Sequence, residues 1–295
     1  MSRSRFGRDR IYGSTRLPFW CALVLTCSNL SYGNTVVSAL KTLWLLGALD
    51  NSKTLTTLGR QMASFPIEPY HARIILASKT HGCTSEVIDI VSLISSSASL
   101  FLDVSDQRDA IANARRKFRH PSGDHLTILN ALRSYQEIAA SESKGERREW
   151  CRKHYLNERI LTEALKIRDQ LRVTCQRVEL DWRTSSSDVE EPVLRCFTAG
   201  LMQQSALLQP DGSYKQLMGQ SVVKIHPGST LCDKKVPAII FDELVCQCHS
   251  VILSSGVFMR RAGVYESDLC TGGLLRATKF PEWYHTPDDK RIHYE

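Results

Sequence analysis

The chain has 295 residues, 42% of them hydrophobic and 23% charged, with a net charge of +7. That composition excludes a disordered or fibrous chain and leaves room for one large domain or two to three small ones. Ten cysteines are scattered without a disulfide framework or a paired CxxC at zinc spacing, so a reducing, intracellular setting is expected.

The first 33 residues pair a basic start, "MSRSRFGRDRIYGSTR", with a short apolar run, "LPFWCALVLTC". The pattern imitates a signal peptide, but the apolar run is too short to span a bilayer, and no membrane association is expected. Residues 34–82 carry apolar positions at helical spacing through Val36, Leu40, Leu43 and Leu46. Gly47 and "DNSK" break that helix. A short strand is expected at Leu55–Thr57, then helices at Leu58–Ala63 and, past Pro66 and Pro69, at Tyr70–Ser78. Helices around a small β element outline a winged-helix module. Residues 83–180 read as a helical domain, opening with an apolar helix over Ser85–Leu102.

Inside it, "HPSGDH" ends one helix and starts another at about His125, with Asp124 or Ser122 as N-cap and Leu126, Leu129 and Leu132 on the apolar face. After "SESKGERRE" the spacing predicts one long helix over Trp150–Cys175, with Tyr155, Ile160, Leu161, Leu165 and Ile167 toward the core. The character changes at Val193. Asp211-Gly212 between two alternating runs signals a hairpin, and "SVVKIHPGSTL", "VPAIIFDELVCQC" and "VFMRRAGVY" read as further strands of a small barrel over 190–262. Residues 263–295 form a tail with no assignment. The expected fold class is therefore α+β and multidomain: winged helix, helical bundle, C-terminal barrel.

Charge is concentrated in one place. Residues 108–177 hold 16 Lys/Arg against 9 Asp/Glu, as expected where a polyanion binds, or for a solvated helical face. No GxxxxGK[ST], GxSxG or HExxH motif occurs. Cys246, Cys248 and His249 lack second partners at zinc spacing, and their alternation suits a strand. His120 and His125 lie across a Pro-Gly turn and would not project together as metal ligands. The stretch reads as a helix start, with the two histidines capping it or facing a bound polyanion, and no catalytic residue or metal ligand is assigned.

Several phrases carry a family resemblance: "ALKTLWLLGALD", "LTTLGRQMASFPIEPYHARIILAS", "GDHLTILN", "WCRKHYLNERILTEALKIRDQL" and "LQPDGSYKQL…VVKIHPGSTL…VPAIIFDELV". In order and spacing, from about Thr35 to Met259, they resemble the C-terminal half of DEAH-box RNA helicases. The resemblance implies a degenerate winged helix, a helical ratchet domain and an OB-fold. The family's two RecA-like, nucleotide-holding domains have no counterpart in these residues. The implied function is an RNA-binding auxiliary region without ATPase activity of its own; ATP and Mg would enter only with RecA domains in a longer form. Single-stranded RNA is the implied partner. The implied contacts are Arg115, Arg116, Lys117, Arg119, His120 and His125 in the ratchet-like region, and Lys224, His226, Lys234 and Lys235 in the barrel. The alternative is a non-catalytic module that binds a glycine-rich helicase activator or another ribonucleoprotein partner. A nuclear or nucleolar setting in ribosome assembly or pre-mRNA processing is expected, with the cytoplasm as the alternative.

Overall fold

The computed structural model describes residues 33–102, 108–218, 221–232, 234–246 and 273–279. The N-terminal basic–apolar segment, Cys248, His249, the expected "VFMRRAGVY" strand and most of the tail lie outside the described residues. The described residues fall into two compact units, divided between Pro69 and Tyr70.

In the first unit, α1 (Gly33–Leu45) is followed by a turn at Gly47, which adopts φ +75°. The expected strand is a single antiparallel bridge, Leu49 to Leu55. Thr56 then organises the start of α2 (Thr57–Ala63). Its hydroxyl oxygen accepts from the Gly59 amide at 3.0 Å and lies 2.7 Å from the Gly47 carbonyl, so one side chain caps α2 and ties it to the preceding turn. Gly59 is required here, because a Cβ would lie 2.2 Å from the Ala48 carbonyl oxygen.

The second unit begins at Tyr70, within α3 (Pro69–His81), and continues with α4 (Thr84–Ile94). Helix α4 is buried on nearly every side, including Glu86 and Asp89, which marks it as the central helix of the layer. Against it pack α6 (Asp124–Ser141) and α8 (Glu158–Arg177), and α5 (Arg108–Arg116) and α7 (Lys144–Lys153) complete the helical layer. Their shared core holds Leu93, Phe118, Leu132, Tyr135, Cys151, Leu156 and Leu161.

Two expectations about these helices need correction. The helix expected over Trp150–Cys175 is two helices, because Tyr155 takes φ +53° and interrupts the repeat. Leu156 leaves the helical path to fill the core at 2% exposure and bridges to Phe101, and Asn157 then caps α8 by accepting from the Arg159 amide. The residue flanking α6 is Gly123 at φ +131°, and neither Ser122 nor Asp124 caps that helix with its side chain. Both are engaged elsewhere.

The region expected to open the barrel begins instead with α9 (Glu190–Leu201). Among the described residues five strands follow: β1 (Ser205–Leu208), β2 (Tyr214–Gln216), β3 (Val222–Ile225), β4 (Ala238–Cys246) and β5 (Gly273–Lys279). They pair in the closed order β1-β2-β3-β5-β4, with β3 and β5 parallel and the other pairs antiparallel. The Asp211-Gly212 hairpin forms as expected: Gly212 adopts φ +84°, and the Asp211 carboxylate accepts from the Ser213 amide and hydroxyl. Tyr214, Val223, Leu231, Ile239 and Phe241 fill the interior. The fold class is thus α+β, a helical layer joined to a small barrel.

Helix α9 meets α3 at Gly200, where a Cβ would stand 2.4 Å from Ile74 Cγ1 and 2.5 Å from the Tyr70 carbonyl oxygen. Gly200→Ala should therefore lower stability by about 1–3 kcal/mol, the usual cost of overpacking. A urea titration with an unchanged midpoint would show that the helices can separate freely.

Candidate nucleic-acid interface

The basic run begins in the last turn of α5 and continues to the turn before α6. Phe118, 1% exposed, pins its middle into the helical core, and Asn130 Nδ2 holds the Phe118 carbonyl at 3.2 Å. The residues either side are forced outward: Arg116, Lys117 and Arg119 are exposed. Arg115 is more constrained, because its Nη2 donates to the Leu102 carbonyl at 2.8 Å and its guanidinium lies 4.8 Å from the Phe101 ring centroid. His120 is half-buried; its Nδ1 accepts from the Ser122 amide at 3.3 Å, and its own amide donates to Thr127 Oγ1.

The barrel reaches this turn through the loop between β3 and β4. The Thr230 amide and hydroxyl both donate to Asp124 Oδ1, at 2.8 and 3.1 Å. Lys234 Nζ donates to the Pro121 carbonyl at 2.9 Å. Ser122 donates to Glu190 at the start of α9. The "HPSGD" turn is thus a joint between helical layer and barrel. It places Lys234 on Pro121, two positions after Arg119 of the exposed run Arg116, Lys117 and Arg119, with exposed Lys235 next to it in the chain.

The remaining candidates separate from this group. Lys224 is exposed on β3, where its charge acts on Asp211 of the β1–β2 turn. His226 is half-buried and its Nδ1 accepts from the Gly228 amide at 2.9 Å, which shapes the loop. His125 is corrected from RNA-facing to core. It is 5% exposed, and its ring packs 4.4 Å from that of Phe197 on α9. A second tie runs nearby from α3 to β4, where His71 Nε2 and Asp242 Oδ1 are 2.9 Å apart.

Thr230 and Glu190 were not singled out in the sequence, and Asp124 was expected only as an N-cap. Asp124 and Thr230 are separated by 106 positions, and no local pattern links them. Among the described residues no group of His, Cys, Asp and Glu is arranged to hold a metal ion, and no helix is long and apolar enough to cross a membrane. Chemically, the joint presents a band of ammonium and guanidinium groups that can meet a string of phosphates.

Burial pushes the His125 imidazole down to about 4, against the upward pull of Asp242 and Asp124. The core therefore holds the neutral ring, and the unfolded chain takes up a proton first. Its contribution is fully present above about pH 6.5 and is lost as pH falls toward 4, at about 1.4 kcal/mol per unit. The urea midpoint of the wild type should fall across that window by more than that of His125→Leu. Parallel pH profiles for the two proteins would refute the assignment.

Comparison with known proteins follows the same division of the chain. Residues 39–67 match the winged-helix part of the helicase associated domain (HA2), and residues 68–128 match its ratchet-like part. "ATP-dependent RNA helicase DHX33" of Homo sapiens is 37% identical over 213 residues, covering 71% of this chain and 29% of that protein. Its Drosophila melanogaster counterpart is 35% identical over 232 residues, covering 76% and 32%. "Probable ATP-dependent RNA helicase DHX35" of Pongo abelii is 31% identical over 235 residues, covering 79% and 31%. The chain spans about three tenths of the length of the curated relatives it matches. With consecutive HA2 segments and helicase relatives along most of its sequence, the chain belongs to the DEAH-box RNA helicases, as their helicase-associated C-terminal region.

Proposed function

We propose that this chain binds single-stranded RNA through the basic band at the joint, as the auxiliary RNA-holding region of a DEAH-box helicase. The observation that carries the proposal is the docking of the β3–β4 loop on the "HPSGD" turn by Thr230 and Lys234. It brings together two basic stretches that are more than 100 residues apart. Phosphate contacts of this kind give affinity without sequence preference. The barrel is read as OB-like: five closed strands whose order and parallel β3–β5 pair support that assignment, in a fold whose members bind oligonucleotides. A nuclear role in ribosome assembly or pre-mRNA processing belongs to the same proposal and rests on the family resemblance alone.

ATP hydrolysis is not proposed for these 295 residues, which contain no GxxxxGK[ST] loop. The purified chain should show no RNA-stimulated turnover, and activity that co-purifies through two unrelated separations would overturn that reading.

One observation favours a second reading, a protein-interaction module. Met202, Leu207, Leu217, Met218 and Val222 are each 42–47% exposed, all on the barrel or its approach. Exposed apolar residues gathered in one region mark interaction surfaces.

The test is the salt dependence of RNA affinity. Each phosphate contact to a single strand contributes about 0.7 to the slope of log affinity against log salt. Replacing Arg116, Arg119 and Lys235 together by Ala should flatten that slope by about 2. Stability should change by no more than about 0.5 kcal/mol per site, because all three side chains are exposed. An unchanged slope in the folded variant would leave the band as a solvated face and the protein-interaction reading in front.

A further inference from the structure

The basic run does not simply face solvent, because two of its side chains lie over aromatic rings. Lys117 Nζ is 5.9 Å from the ring centroids of both Phe118 and Trp150. Arg115 covers Phe101 in the same way. Phe118 is fully buried and serves the core, whereas Trp150 is only half-buried. Trp150 packs against the helical core with its neighbours Tyr135 and Phe118 at 6.4 and 6.0 Å, and His154 lies 4.5 Å away, tilted by 40°. The indole is therefore packed among three neighbouring rings, with the Lys117 ammonium over it. Basic side chains interleaved with partly open aromatic rings are the arrangement that grips single strands, since phosphates meet the cations and every base has a π-face to stack.

From this juxtaposition we infer that Trp150 is a stacking platform for one unpaired base of a bound RNA strand. Lys117 swings from the ring to the adjoining phosphate as the base arrives. The inference rests on the RNA-binding reading above and adds to it a specific ligand group, the nucleobase, where the exposed band alone recognises phosphate. The stack accepts purines and pyrimidines alike and adds grip without base identity. It also predicts discrimination by strandedness, because a base paired within a duplex offers no free face.

The experiment uses the full chain and two ten-nucleotide RNA probes, one of uridines and one of the same length with abasic ribose at every position. The wild type should prefer the uridine strand, and Trp150→Leu should reduce that preference roughly tenfold while leaving the salt slope unchanged. Should Trp150→Leu fail to fold, Trp150→Phe keeps a packed ring. Tryptophan emission of the wild type should then be quenched by the uridine strand to a greater extent than that of Trp150→Phe. Equal affinity of the wild type for both probes, or equal quenching in the two proteins, would overturn the platform and leave phosphate binding intact. Binding of neither probe would overturn the RNA-binding reading together with it.

Discussion

The carboxylate of Asp124 is the contact on which the second unit turns. It stands at the first position of α6, where the unsatisfied amides of a helix start favour negative charge. Its Oδ1 accepts two hydrogen bonds from Thr230 of the barrel loop. A charged acceptor holding two donors is stronger than a neutral pair, and the helix start reinforces the charge that makes it so. Lys234 on the Pro121 carbonyl, Ser122 on Glu190 and His125 on Phe197 surround that contact. Four consecutive or nearly consecutive positions each reach the barrel or the helix leading into it.

Burial explains why the joint is specific. His125 and His71 lie in the core, each matched to an opposing element by ring packing or an acid. Buried polar groups must be satisfied, and the cost of leaving one unpaired is larger than the net gain from pairing it. Sliding the barrel relative to the helices would strand Asp124, Thr230 and His71 together. The orientation of the two parts is therefore held by polar contacts whose loss is expensive.

The same logic operates in the middle of the helical layer. Helix α4 carries Glu86 and Asp89 into the interior, where Arg133 reaches Glu86 at 2.9 Å and Ser185 donates to the same oxygen. Asp89 faces Arg168 at 3.8 Å, and burial still raises its carboxyl above the usual range despite that cation. Arg172 and Arg183 in turn pack on the Trp182 ring at 4.5 and 4.4 Å. These basic groups are consumed by internal acids and rings. Three of them, Arg133, Arg168 and Arg172, fall within residues 108–177, so the positive charge counted there is not one uniform surface. Only the part beyond the internal acids, around Arg116, Lys117 and Arg119, joins the barrel lysines.

Local rules made much of this chain legible. The apolar spacing marked α3, α4, α6 and α8, and Asp211-Gly212 marked the hairpin, because these signals act over a few residues. The basic run was visible as charge, and its outward display follows from one buried phenylalanine at position 118. What local rules could not supply was the break at Tyr155, which the core's need for Leu156 imposes. Nor could they show that Asp124 answers to Thr230 instead of capping its own helix, or that His125 turns inward. The sequence by itself determined which segments are helical or extended and where charge accumulates, since those depend on neighbours along the chain. Only the tertiary structure decided which polar groups are buried, what they face and which basic side chains stand together, since those depend on contacts across more than a hundred residues.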